Sequence, residues 1–190
     1  MTDIVLSILI PSVPERMTHL KRMIDALYEQ AQNKPVEILV MLENKKRSTG
    51  EKRNILVEQA KGEYVAFVDD DDDRVDPNYV DTLCATIASN STADCIVFDV
   101  SVNYNNLFTK ITKFGKELEH KEDENFYYRK PNHVMCYAKR IAVQHKFLNI
   151  SYGEDDEWGA RVSQDIVNQV RIPATLYHYD YVPKPASWYT

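Results

Sequence analysis

Ala60-Lys61-Gly62-Glu63-Tyr64-Val65-Ala66-Phe67-Val68-Asp69-Asp70-Asp71-Asp72-Asp73 is the stretch from which the rest of the chain can be read. Tyr64 to Val68 is a short unbroken apolar run, the pattern of a buried strand, and five aspartates begin where it ends. Upstream, a helix from Glu51 to Lys61 is expected to stop at Gly62, the residue type that best adopts the left-handed helix-ending conformation. Downstream, Asp76 and Pro77 offer an N-cap and a first-turn proline to a helix with Val80, Leu83 and Ile87 on its inner face. Carboxylates at the tip of a rigid strand converge on a point where hard oxygen ligands suit Mg²⁺ or Mn²⁺. Alternate residues of an extended chain share a side, so Asp69 with Asp71, or Asp70 with Asp72, could act together. A cation there would bridge the protein to a pyrophosphate and neutralise charge on a departing phosphate. The alternative is a solvated acidic turn.

Working outward, the same alternation repeats. Ile4 to Ile10 reads as a strand ending at Pro11, and Leu20, Met23, Ile24 and Leu27 then mark one face of a helix that fades at Asn33-Lys34-Pro35. Val36 to Leu42 and Ile96 to Val100 are further strands. Strands alternating with helices predict an α/β fold, a mainly parallel sheet flanked by helices, with ligands gathered outside the carboxyl ends of the strands. From Asn103 to Asn132 the pattern turns polar and reads as an irregular or hairpin insertion. His133 to Ala138 offers another strand. A helix from Asp156 to Val167 would stack Trp158, Val162 and Ile166. Thr175 to Val182 reads as a closing strand with Tyr177, Tyr179 and Tyr181 on one face and Leu176, His178 and Asp180 on the other. The helical spacing of Trp158 and the alternation of the tyrosines favour core packing over sugar stacking.

The 190 residues carry 23 Lys+Arg against 29 Asp+Glu, a net charge of −6. Nine of those acids lie in two short segments, Asp69 to Asp73 and Glu154-Asp155-Asp156-Glu157, and the remaining 20 face 23 basic residues. The acidity is therefore local, and charges packed that tightly repel unless something offsets them. Cys84, Cys95 and Cys136 are an odd number without metal-ligand spacing and read as reduced, buried thiols. Ile4 to Ile10 is too short to span a bilayer, and no basic segment precedes it, so the chain reads as cytoplasmic without a membrane span. With five glycines and neither a P-loop nor Gly-x-Gly-x-x-Gly, ATP or dinucleotide binding by those motifs is unsupported. Lys110, Lys113 and Lys116 form a local basic group that is either a nucleic-acid patch or a solvated face.

The second acidic segment, Gly153-Glu154-Asp155-Asp156-Glu157-Trp158, opens a helix. Negative charge there is stabilised by the helix dipole, so simple capping explains it. The functional alternative is a general base, which must stay ionised within hydrogen-bond reach of an acceptor hydroxyl.

Taken together, Ser7-Ile8-Leu9-Ile10-Pro11-Ser12, Glu37-Ile38-Leu39-Val40 leading to Glu43-Asn44, Arg53-Asn54, and Ala60 to Asp69 resemble the nucleotide-sugar half of a family 2 glycosyltransferase of the GT-A type. Gly153-Glu154-Asp155 resembles that family's catalytic motif, and Tyr177-His178-Tyr179 its C-terminal histidine. The resemblance implies one GT-A domain over residues 1–190, with 1–102 binding the nucleotide-sugar and 103–190 forming the acceptor and catalytic half. It implies that Pro11 and Ser12 border the nucleotide, that Glu43 hydrogen-bonds the base and that Arg53 touches base or diphosphate. Glu43 stands where the family more often has Asp, which shifts its carboxylate outward by one methylene. Counting forward from Phe67 makes Asp71 the leading Mn²⁺ or Mg²⁺ ligand, with Asp69 and Asp70 as ribose or metal neighbours; counting back from Pro77 selects Asp70 and Asp72.

Asp155 would be the base by similarity, flanked by Glu154 and Asp156. His178 would complete the metal site, unless it is a half-buried strand residue, and His133 could help position an acceptor. The implied reaction moves a sugar from a nucleotide-sugar, UDP-linked by preference, to a hydroxyl of a glycan, protein, lipid or nucleobase acceptor, with inversion. Two rivals remain at this point: a non-catalytic nucleotide-sugar-binding subunit and a metal-dependent phosphoryl-transfer enzyme.

Overall fold

Seven consecutive buried residues make β1 (Leu6–Ser12) the inner strand of the sheet. In the computed structural model, which describes residues 3–72 and 74–181, a 3-10 turn (Pro14–Arg16) leads from it into α1 (Met17–Ala31), β2 (Val36–Leu42), α2 (Thr49–Gln59), β3 (Tyr64–Phe67), β4 (Arg74–Val75) and α3 (Tyr79–Ser89). The chain continues through β5 (Cys95–Tyr104), β6 (Phe108–Phe114), β7 (Lys121–Glu122), β8 (Phe126–Arg129), β9 (Cys136–Ala138), α4 (Lys139–Gln144), α5 (Glu154–Val162) and β10 (Gln169–Tyr181). β2 and β3 both pair parallel to β1, with Ile8 opposite Ile38 and Ala66. β9 lies antiparallel between β3 and β5, so β5 points the same way as β1, and β10 runs parallel to β5. The principal strands thus share one direction, as the α/β, mainly parallel reading expects. β4, β6, β8 and β9 run against them, and the three buried residues of β9 show why it fits at the sheet centre, paired on both sides with no edge to solvate.

Apolar periodicity explains the helices. Leu20, Met23 and Leu27 of α1 are buried, as are Val80, Leu83 and Ile87 of α3, and both helices cover the sheet. Trp158 is fully buried, its ring stacked on Phe147 at 4.6 Å and 9°, and Val162 and Ile166 are buried beside it. All three cysteines are free, Cys95 and Cys136 buried and Cys84 partly so. Among the described residues no helix is long and apolar enough to cross a membrane.

Several local expectations are corrected. Gly62 does not take a left-handed conformation; Gly153 alone among the described glycines has positive φ. A Cβ at Gly62 would lie 2.6 Å from the Ser7 backbone nitrogen, so a close backbone approach to β1, not a helix cap, requires glycine there. Asp76 is not the cap of α3, whose N-cap is Asn78; the Asp76 carboxylate accepts from the Asn78 N–H at 2.8 Å in a turn one step earlier. α5 starts at Glu154 and ends at Val162, so the acidic segment is its first turn. The 103–132 stretch is more ordered than an irregular insertion. β6 pairs antiparallel with β5 across Asn105 and Asn106, whose φ values of 50° and 58° suit a tight hairpin, and β8 and β7 extend it. β10 begins at Gln169, earlier than Thr175, with bulges near Thr175; Val182 lies outside the described residues.

Candidate functional site

At the carboxyl end of β3 the aspartates are partnered one by one. Asp69 receives Arg53 Nη2 on Oδ1 at 2.9 Å and His133 Nε2 on Oδ2 at 2.8 Å, and its backbone N–H donates to the Tyr177 hydroxyl at 2.9 Å. Burial opposes its ionisation, but Arg53 and His133 hold the carboxyl far below the usual range. Asp70 is buried, with Ser12 Oγ donating to one oxygen at 2.6 Å and Arg16 Nη1 to the other at 2.7 Å. The second arm of Arg16 pairs with Asp71 Oδ2 at 2.8 Å, and the Asp71 side chain stays 37% exposed. Asp72 accepts a short hydrogen bond from Tyr177, and burial together with the neighbouring Asp69 charge pushes its carboxyl well up, toward the protonated form. Asp73 lies outside the described residues.

The second acidic segment arrives at the same place from α5. Gly153, at φ 75°, turns the chain so that Glu154 and Asp155 enter the site on the first helical turn. Glu154 is buried against Arg53 Nε at 3.3 Å. Asp155 Oδ2 lies 3.3 Å from His133 Nδ1, an ion-pair distance rather than a directed hydrogen bond, since that nitrogen has no aligned partner. Burial opposes it, but His133 and Arg53 lower Asp155 to about 2. For His133, burial and Arg53 oppose protonation, while Asp69 and Asp155 on either side of the ring overcome them and raise it to about 9. His133 is therefore an imidazolium at neutral pH. Asp156 is shifted the other way, raised by burial and by Asp155.

Arg53 is the other hinge of the cluster. It is buried, its guanidinium 5.0 Å above the Phe67 ring, and its Nη1 has no hydrogen-bond partner. Nearby, Glu43 Oε2 accepts from the Lys46 N–H at 2.8 Å and the Arg47 N–H at 3.3 Å, while buried Lys52 places Nζ 3.5 Å from Oε1 and 3.3 Å from the Ser12 carbonyl. Glu43 is held below the ordinary value: partial burial opposes this, and the amide bonds and Lys52 outweigh it. Pro11 sits one residue back in β1, opposite Met41.

The structure thus gathers Ser12, Asp69, Asp70, Asp71, Glu154 and Asp155 around three cationic side chains, Arg16, Arg53 and His133, while His178 lies on the other face of its strand. Tyr177 faces Asp69 and Asp72, so the next residue of the strand points to the opposite face. His178 lines a separate cavity of about 460 Å³ with Arg74, Ser101, Asn103 and Asp180. The lysine group is likewise committed elsewhere: Lys110 pairs with Glu122, Lys113 with Asp99, and Lys116 donates to the Ile166 and Val167 carbonyls. Arg16 and Lys52 join the site without any sequence expectation, and Tyr177, expected to pack in the core, is buried as expected and also bonds Asp69 and Asp72. Lys52 and Arg53 carried a usable signal, since they fall on the same helical stripe as Leu56 and Val57 and are buried with them. A charge inside an apolar stripe asks for a partner.

Residues 19–150 match the family described as Glycosyl transferase family 2. The chain belongs to the family 2 glycosyltransferases. Among solved structures it resembles S. aureus TarS at 14% identity and a TM-score of 0.62, over 97% of this chain and 38% of that one. TarS 1-349 gives 16% and 0.63 over 92% and 60%, and TarS 1-349 in complex with UDP gives 14% and 0.62 over 94% and 61%. This family 2 chain therefore spans less than two thirds of those structures, and at such identities the likeness speaks for the GT-A-like fold. No match is found among curated proteins.

Proposed function

We propose that this family 2 chain transfers a sugar from a nucleoside diphosphate sugar, UDP-linked by preference, to an acceptor hydroxyl with inversion. The observation that carries this reading is the convergence of the two acidic segments: Asp69 at the end of β3 and Asp155 at the start of α5 meet on opposite sides of one buried imidazolium. Donor-side and acceptor-side chemistry are thereby held in fixed relation. That a TarS structure was obtained with UDP favours a uridine donor.

Asp155, ionised at neutral pH and 31% exposed, is the group placed to take the proton of the attacking hydroxyl. The hydroxyl oxygen attacks the anomeric carbon as the bond to the diphosphate breaks on the other face, so configuration inverts in one displacement. Glu154 anchors Arg53, and the unpartnered Nη1 of Arg53 is available to the diphosphate. Asp156, with its raised carboxyl, flanks the base.

A divalent cation fits this donor set in one way. Among the described residues no group of three His, Cys, Asp or Glu side chains forms a protein-only cage. Asp69 and Asp70 have both oxygens committed, whereas Asp71 keeps solvent access. Mg²⁺ and Mn²⁺ accept one or two carboxylates completed by substrate phosphates, so Asp71 would hold the ion. When bound it would neutralise charge on the leaving diphosphate.

The test is a nucleotide-release assay over UDP-, GDP- and dTDP-sugars with and without EDTA. Asp155→Asn is expected to lower kcat by about 10²–10⁴ with little change in UDP affinity. Unchanged transfer in that variant would sink the base assignment, and binding without turnover by the parent chain would indicate a recognition subunit.

A further inference from the structure

We propose that the cavity lined by His178 binds a neutral glycan, on the face of β10 opposite Tyr177. The choice of ligand rests on the sugar-transfer reading, and the site goes beyond it by giving the protein a carbohydrate contact outside the cluster of Asp69 and Asp155.

β5 changes character along its length. Cys95-Ile96-Val97-Phe98 is continuously apolar and buried, whereas Val100-Ser101-Val102-Asn103 alternates between buried and half-buried. A strand covered on both faces reads as the first, and a strand open on one face as the second. The neighbouring strands keep the alternation by register: Ser101 stands opposite His178 of β10 and Ile111 of β6, Asn103 opposite Asp180 and Thr109, and His178 opposite Arg74 of β4. Val75, Val100, Val102 and Tyr177 are thereby buried in the core, while Arg74, Ser101, Asn103, Thr109, His178 and Asp180 share the other face and keep solvent access. These six polar side chains line a cavity of about 460 Å³, inside the range of about 300–1,000 Å³ that small-ligand sites occupy.

The rim of the cavity is held in place. Asn103 Nδ2 donates to Asp180 Oδ1 at 2.8 Å and to Asn106 Oδ1 at 3.0 Å, and Asn103 Oδ1 accepts from the Asn106 N–H at 3.2 Å. The hairpin turn is thus tied to the floor, and the next two residues, Leu107 and Phe108, stand at the edge. Both are apolar and exposed, at 80% and 53%, although Phe108 stacks on Tyr104 at 4.7 Å. A polar tip would serve a face that meets only water. A ligand with apolar surfaces of its own gains from covering this one.

Charge selects the class of ligand. Arg74 and Asp180 put one charge of each sign on the lining, so an anion meets a carboxylate there and a cation meets a guanidinium. The Ser101 and Thr109 hydroxyls donate and accept alike. A neutral molecule with hydroxyls at its edge and C–H groups on its faces suits both floor and rim, and a sugar ring has that form. Position gives the site its use. The Tyr177 hydroxyl accepts from the Asp69 N–H and donates to Asp72, while His178, the next residue, lines the cavity and pairs with β4 just after the acid run. A glycan chain held there stays beside the proposed transfer site at raised local concentration.

Amide NMR of the isotopically labelled chain tests this, with maltohexaose, xylohexaose and chitohexaose as neutral probes and the galacturonate and glucosamine hexamers as anionic and cationic comparators. At least one neutral hexamer is expected to shift the amides of Ser101, Asn103, Leu107, Thr109 and Asp180, equally with and without UDP and Mn²⁺, and to bind about threefold or more tighter than either charged hexamer. Phe108→Ala should weaken that binding about tenfold, and Ser101→Val, which suits a strand and removes only the hydroxyl, about threefold or more, with UDP binding unchanged in both. Ser101→Val carries the test if Phe108→Ala does not fold. No shift with any neutral hexamer, shifts confined to the acidic cluster, tighter binding of a charged hexamer, or unchanged affinity in Ser101→Val overturns the inference. Dimers that dissociate in Phe108→Ala overturn it in favour of a contact between copies of the chain. UDP binding that persists through any of these results leaves the nucleotide-sugar reading standing, whereas glycan binding without nucleotide binding sinks that reading and keeps this site.

Discussion

His133 is a cation made by its neighbours. Alone in a buried site an imidazole would be neutral, but Asp69 and Asp155 on its two nitrogens raise it from 6.5 to about 9. Its folded value exceeds its unfolded one, so its contribution to stability is fully present below about pH 6.5 and is lost as pH rises through 9. Asp155, lowered to about 2, contributes above its unfolded value of 3.8 and loses that contribution only as pH falls through 2. The two contributions to stability are therefore full together from about pH 4 to 6.5 and decline above that window, although in the fold the pair itself stays charged until pH nears 9. In His133→Gln the carboxylates lose their cation, and a loss of about 3–5 kcal/mol is expected at pH 6. The discriminating measurement is thermal melting from pH 6.5 to 9.5: the parent chain should lose stability over that range distinctly faster than His133→Gln. Parallel slopes would mean that the imidazole is not charged in the fold.

Among the elements, α2 and the segment that follows α4 are locked together by a contact no side chain makes. The Gly50 N–H donates to the Ile150 carbonyl at 3.0 Å, and a Cβ on Gly50 would stand 1.9 Å from the Leu148 carbonyl oxygen. That segment runs directly into Gly153 and the acidic first turn of α5. Gly50→Ala must push the backbone away, with an expected loss of about 1–3 kcal/mol in urea unfolding and a fall in kcat larger than any rise in KM for the donor. Gly115→Ala is the matched control: its Cβ would meet only the movable Glu117 carboxylate at 2.5 Å, so a change within about 0.5 kcal/mol is expected. Equal effects would refute the backbone-contact argument. This also marks what sequence could reveal about the fold. Tyr64 to Phe67 and β1 were legible because an apolar run signals its own burial, and the acid run because it abuts such a strand; β2 was legible as a strand too, although its apolar run overstated a burial that is only partial. β9 falls inside the strand expected from His133 to Ala138, but its antiparallel pairing to β3 and β5 spans large chain separations, and no local pattern records that. The pairing of Asp69 with His133, 64 residues apart, is hidden for the same reason. Gly62 was recognised as special but for the wrong cause, since crowding against β1 leaves no trace in neighbouring residues.

At the scale of the whole molecule, the net charge of −6 hides a site that is nearly balanced from within. Arg53 and His133 offset Asp69, Glu154 and Asp155; Arg16 serves Asp70 and Asp71; and Asp72 tends to protonation against Tyr177. The repulsion expected of two acidic clusters is thus resolved by cations of the fold, and these acidic side chains are paired structural groups rather than a solvated acidic face. A nucleoside diphosphate bound as proposed would add negative charge to that balance, offset by the buried, unpartnered Nη1 of Arg53 and a cation at Asp71. Ligand that binds only the folded state raises stability by mass action, about 2.7 kcal/mol at a hundredfold excess over Kd, which for a chain of this size is a rise in Tm of about 5–11 °C. UDP with Mn²⁺ is expected to produce that rise and EDTA to shrink it. Asp71→Asn should respond to UDP in Mn²⁺ as the parent chain does in EDTA, because the two changes remove the same contact by different routes. An Asp71→Asn shift equal to that of the parent in Mn²⁺ would remove Asp71 from the metal assignment. A parent shift insensitive to EDTA would leave Arg53 as the principal counter-charge to the diphosphate.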